Sequence, residues 1–170
     1  VNNGEYNIRV HSVGAMSCVP LTIEARSFVL DTLGESVLTG RDITSGDTKY
    51  QLIAHNLPFL SDGTVRGIDV DVKSIGTMWL QIWTPIEGTA DEYNLRHSRQ
   101  VEFISTGVQY YGVDVVNVRK DDVIGWWREG SSLIGYQNNQ GVQMRGKKNV
   151  ERTTEEGTTL SGMGSVVERT

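Results

Sequence analysis

The sequence predicts an all-β chain folded as an antiparallel β-sandwich. About ten segments alternate apolar and polar residues with a period of two, spaced roughly 8–14 residues apart. No convincing amphipathic helix interrupts them. The 170 residues also hold 19 glycines against three prolines, an excess that suits many turns between short strands.

In chain order, residues 5–10 (E-Y-N-I-R-V) open the series, with Tyr6, Ile8 and Val10 on one side. Residues 21–30 put Leu21, Ile23 and Ala25 on one face, then Phe28 and Leu30 on the opposite parity. Such a shift predicts a bulge or a change of sheet. Val37 and Leu38 begin a short strand that Gly40 closes, and residues 41–48 form a polar connection. Residues 50–54 read as a strand, followed by a loop through Pro58 that carries Phe59 and Leu60.

Residues 64–85 form the central stretch. Ile68, Val70 and Val72 alternate with Asp69, Asp71 and Lys73, so one face is aliphatic and the other charged and solvated. Residues 74–76 turn the chain, with Gly76 available for a positive φ. Met78, Leu80 and Ile82 then lie on one face, with Trp79, Gln81 and Trp83 on the other, until Pro85 ends the ladder. The expectation is a β-hairpin whose core side chains include Val70 and Ile82.

Residues 87–99 read as a charged loop holding one helical turn at most. Strands follow at 101–104, 108–118 and 123–127, with a short one at 133–136 and a turn at 138–141. Beyond Gly141 the composition shifts to Thr, Glu and Gly, although Val142 with Met144 and Val166 with Val167 suit edge strands. The expected organisation is a single domain over 1–170, with 141–170 an edge or tail segment.

Composition bounds the function. Hydrophobic residues at 38% and charged residues at 22% describe an ordinary globule, and a net charge of −5 argues against a nucleic-acid surface. No apolar run approaches the ~20 residues of a membrane span. The start at Val1 suggests a processed chain or part of a longer one. Cys18 is the sole cysteine, which rules out an internal disulfide or an all-cysteine metal site. It is either a buried thiol or half of an intermolecular disulfide. There is no Asn-x-Ser/Thr sequon.

A resemblance enters with residues 78–85 (M-W-L-Q-I-W-T-P), the charged loop after them, and residues 107–127 (G-V-Q-Y-Y-G-V-D-V-V-N-V-R-K-D-D-V-I-G-W-W). Together they resemble the second half of a jelly-roll sandwich of the kind found in secreted animal adhesive, lectin-like and matrix modules. Such modules follow a valine-rich strand with a G-D-x-I-G turn. Here the turn is Asp121-Asp122-Val123-Ile124-Gly125, with aspartate in place of the first glycine. The resemblance implies a jelly-roll-like fold and an extracellular setting, and it assigns no site residues.

Three constellations bear chemistry. Asp69 and Asp71 share a strand face, but the E-x-D-x-x-E of sandwich glycosidases is absent, so a solvated face is expected and glycoside hydrolysis is a distant alternative. Trp79 and Trp83, with Trp127 and Tyr136, could present a platform on which sugars stack, although aromatics in sandwiches more often build core. Acidic pairs, Asp121 with Asp122 or Asp42 with Asp47, could hold calcium through oxygen ligands. Otherwise no cofactor is expected. Arg145, Lys147, Lys148 and Arg152 read as a solvated basic loop, and His11, His55 and His97 form no zinc motif.

The reading that follows is a non-enzymatic extracellular module that works by protein–protein contact, its partners being other copies of itself or other segments of a longer chain. A carbohydrate-binding, lectin-like module is the alternative. Residues 141–170 are expected to lie at a sheet edge and to help join copies. Deleting residues 155–170 is then expected to lower the apparent mass and leave the β spectrum intact.

Overall fold

A computed structural model of the chain describes residues 33, 46–130, 133–135 and 144–166. The strands expected at 5–10, 21–30 and 37–38 lie outside the described residues, as do Cys18 and Tyr136. The described residues contain no helix, and every pairing between strands is antiparallel.

The strands are β1 (Tyr50–Pro58), β2 (Gly63–Val72), β3 (Gly76–Pro85), β4 (Tyr93–Phe103), β5 (Gly107–Val118), β6 (Val123–Arg128), β7 (Met144–Lys147), β8 (Thr159–Leu160) and β9 (Gly164–Val166). Seven of them form one sheet in the order β8-β4-β3-β6-β1-β7-β9, while β2 and β5 form a second. The pairs are nested: β3 with β4, β2 with β5 and β1 with β6. A chain folded back on itself as one long hairpin and then rolled has this pairing. The architecture is a jelly-roll-like antiparallel β-sandwich.

Residues 64–85 do not form a hairpin. β2 pairs with β5, and β3 pairs with β4 and β6 in the other sheet, so the turn at 73–75 carries the chain between layers. Alternation sets which face of each strand is buried and says nothing of its partner. Gly76 does adopt φ +154 at this turn, and a Cβ there would stand 2.6 Å from Leu133 Cδ2.

The main core fills the space between the sheets. Leu52, Met78, Leu80, Val101, Phe103 and Trp126 of the larger sheet are buried, with Ile68, Val70, Tyr111 and Val113 of β2 and β5 packed against them. Ile82 joins Val116 and Val118 at the other end. Phe103 meets Tyr111 edge-on at 5.0 Å between ring centres, an arrangement that suits the ring quadrupoles.

β4 extends well into the expected loop. Its register shifts by one between Ile82 and Trp83, so Val101 and Phe103 face β2 and β5 while Leu95 pairs beside Trp83 on the opposite face. The parity change hides an amphipathic strand inside Y-N-L-R-H-S-R.

That opposite face carries a second core: Ile53, Trp83, Tyr93, Leu95, Val123, Leu160 and Met163. Residues 148–166 cross this face as a strap. β8 adds to β4 at one edge, and β9 adds to β7 at the other. In a flat sheet the six steps from β8 to β9 would span about 29 Å. The four steps from Leu160 to Gly164 reach at most about 14 Å. The sheet must therefore curl, bringing its edges together around Trp83, which is 0% exposed. Gly125 permits the curl's packing: a Cβ there would lie 2.5 Å from Leu52 O and 3.1 Å from Trp83 Cδ1.

Asp69 is exposed, but Asp71 is buried at 7% exposure and paired with Lys73 at 2.9 Å. The solvated face expected for both aspartates holds for one only. Residues 133–135 run beside β2 at this point, with Gly135 N donating to Asp71 O at 2.8 Å, and they shut out the water. Asp71→Asn is therefore expected to cost about 1–2 kcal/mol in chemical denaturation, above the ~0.5 kcal/mol of a surface position. A change inside that smaller margin would return Asp71 to the surface.

Candidate functional site

Register places Trp79 opposite Trp127 and Trp83 opposite Val123, so Trp79, Trp83 and Trp127 share one face of the larger sheet while Trp126 takes the other. The strap covers that shared face. Trp83 is enclosed in the second core, and Trp127 is buried with its Nε1 donating to Val150 O at 2.9 Å. Trp79 is half-buried under the Arg152 guanidinium, 3.5 Å from the ring centre. These three tryptophans are core and strap anchors, not an open sugar platform. Gln81, 0% exposed, donates to Thr153 O at 3.1 Å across the same surface.

The basic residues expected in a solvated loop are the strap's fasteners. Arg145 donates to Met163 O at 3.1 Å and Lys147 to Ser161 O at 2.8 Å, while Lys148 pairs with Asp47 at 2.8 Å. His97 Nδ1 lies 2.8 Å from Glu156 Oε1, beside a shallow pocket of about 250 Å³ lined by Leu95, Arg96, His97, Glu156 and Gly157. Glu151, by hydrogen bond and charge, raises the pKa of Lys49. Burial raises that of Tyr93, against the pull of Arg145.

The acidic turn follows. Asp122 is 1% exposed and its carboxylate meets three protein partners. Oδ1 accepts from Thr84 Oγ1 at 2.6 Å, and Oδ2 accepts from Arg119 N at 2.8 Å and lies 3.2 Å from Arg96 Nε. The residue thus ties the β5–β6 turn to β3 and β4, and both oxygens are taken. Among the described residues no group of three His, Cys, Asp or Glu side chains is placed to hold a metal ion. Asp121 adopts φ +70, the left-handed region where the G-D-x-I-G turn has its glycine. Asp121→Gly should leave thermal stability within about 1 kcal/mol, because relief of the left-handed strain offsets the added freedom of the unfolded chain. A larger loss would mean that the Asp121 side chain holds the turn.

The unassigned feature is apolar and exposed. Ile75 (67%) lies in the β2–β3 turn and Ile104 (77%) just beyond β4. The register brings them to one end of the sandwich, because Gly76 pairs with Phe103 and Val72 with Gly107. Val108 (50%) and Tyr110 (63%) continue the patch along the outer face of β5. The Tyr110 ring covers Gly67, and its hydroxyl donates to Arg66 O at 3.3 Å. One signal in the sequence marks this surface. Neighbouring residues on a strand face opposite ways, so of Tyr110 and Tyr111 one must point outward.

No family model, curated protein or solved structure matches this chain.

Proposed function

We propose that the chain is a non-enzymatic module that works by protein–protein contact within an extracellular assembly, and that the contact is made at the apolar end formed by Ile75, Ile104, Val108 and Tyr110. The observation that carries the reading is the grouping of these four exposed side chains on adjoining turns and one strand. Scattered exposed apolar residues are ordinary, whereas a contiguous group marks a surface that another molecule covers. The extracellular setting rests on the likeness to secreted jelly-roll modules.

Panning a library of random dodecapeptides against the chain tests the reading. Apolar, extended peptides are expected to be enriched and to bind Ile104→Ser/Val108→Ser at least tenfold more weakly, with unchanged melting. A glycan array, run with and without a calcium chelator, is the second arm. Selective sugar binding without peptide enrichment would overturn the contact reading in favour of the lectin-like one.

A further inference from the structure

Resting on that reading, we infer that a second copy of the chain joins at the edge of β5 that borders this surface: β5 pairs antiparallel with β5 of its mate, about a two-fold axis through Tyr110. Two two-stranded sheets then become one of four strands.

The second sheet is narrow. Among the described residues it has only two strands, and a ribbon of that width is barely self-sufficient, so added strands stabilise it. Its two edges differ. The end of β2 is taken by residues 133–135, through the Val72–Ile134 bridge and the Lys73 N to Leu133 O bond of 2.8 Å. Among the described residues no strand lies on the other side of β5.

An open edge is usually blunted by lysine, proline, an inward charge or a bulge. Residues 107–113, G-V-Q-Y-Y-G-V, hold no charge and no proline, and their ladder with β2 runs unbroken from Val72–Gly107 to Gly67–Gly112. The irregularity comes only beyond, between Val65 and Gly67 of β2. Asp114, the sole charge of the twelve-residue strand, lies there.

Symmetry then selects the register. A two-fold perpendicular to the sheet keeps outer side chains beside outer ones, so partners must differ by an even number of positions. Centring on Asp114 would set two carboxylates face to face. Centring on Tyr110 pairs Val108 with Gly112 and Gln109 with Tyr111, and uses the regular, neutral stretch alone. It also continues the apolar outer surface of Val108 and Tyr110 across the join.

Three measurements on the full chain test this. The weight-average mass from light scattering should double between 1 and 100 μM. Val108→Cys/Gly112→Cys in a Cys18→Ser background should form a disulfide-linked dimer on oxidation, since within one chain the two positions are roughly 13 Å apart. Tyr110→Lys, which sets like charges across the axis, should weaken dimerisation at least tenfold, whereas Tyr110→Phe, which keeps the ring over Gly67, should not. Association without the disulfide would overturn the inference and leave the contact reading standing. The same holds for a chain that stays monomeric at 100 μM yet selects peptides. In such a monomer, slow hydrogen exchange of those amides of residues 108–112 that point away from β2 would show the edge filled from within the chain.

Discussion

Deletion of residues 155–170 is expected to abolish cooperative unfolding. The deletion takes Leu160 and Met163 out of the second core, and truncating a buried side chain of that size costs about 2–5 kcal/mol. It also removes β8 and β9, together with the bonds from Leu95 N to Thr158 O (3.0 Å) and from Gly157 N to Leu95 O (2.7 Å). Trp83, Tyr93, Leu95, Ile53 and Val123 would then face water. Against a typical folding free energy of about 5–15 kcal/mol, these losses leave little or nothing. Near-ultraviolet dichroism of the indoles and a thermal melt are the measurements. A truncated chain that melts within a few degrees of the full one would show that the strap merely rests on the sheet. Sequence alone leads to the opposite expectation, an intact β spectrum, because the threonines and glycines of this segment hide how deeply Leu160 and Met163 are set.

Asp122→Ala is expected to cost about 3–5 kcal/mol, the range for removing one member of a buried ion pair. The loss falls on three groups at once. Thr84 Oγ1 and Arg119 N lose their acceptor, and Arg96, only 20% exposed, keeps its charge without its counterion. A double-mutant cycle with Arg96→Met separates these effects: if the Arg96 pairing dominates, the second substitution should recover much of the loss. Equal costs in the single and double variants would instead assign the loss to Thr84 and the turn.

The parts of the fold that the sequence makes legible depend on a single face. Strands β5 and β6 fall within a residue or two of their expected bounds because each alternates cleanly and ends at a polar turn. Partners are another matter. Nothing in V-R-G-I-D-V-D-V distinguishes pairing with the next strand from pairing with β5, and so the central stretch looks like a hairpin. The first half of β4 escapes notice because the bulge reverses the parity halfway. β8, at two residues, is too short for any period. Asp71 and Asp69 are equivalent until residues 133–135 cover one of them. The pattern of Trp79, Trp83 and Trp127 suggests a platform because the sequence does not reveal that a strap more than sixty residues downstream of Trp83 lies over it. On β5 the adjacent tyrosines do announce an outward aromatic, without saying which of the two it is.

The nested pairing has a further consequence, for the order in which the molecule assembles. β3 and β4 are separated by residues 86–92 alone and meet across a short loop, whereas β2 must wait for β5, and β1 for β6. Short closures cost less entropy, so folding should propagate outward from β3–β4. The two pieces that seal the large sheet come from one stretch at the far end of the described chain. During synthesis, then, both rims of that sheet stay raw until residues 159–166 have left the ribosome. A nascent chain stalled before residue 159 would expose β4, β7 and the Trp83 cluster together, and it is at this stage that a chaperone would find most to hold.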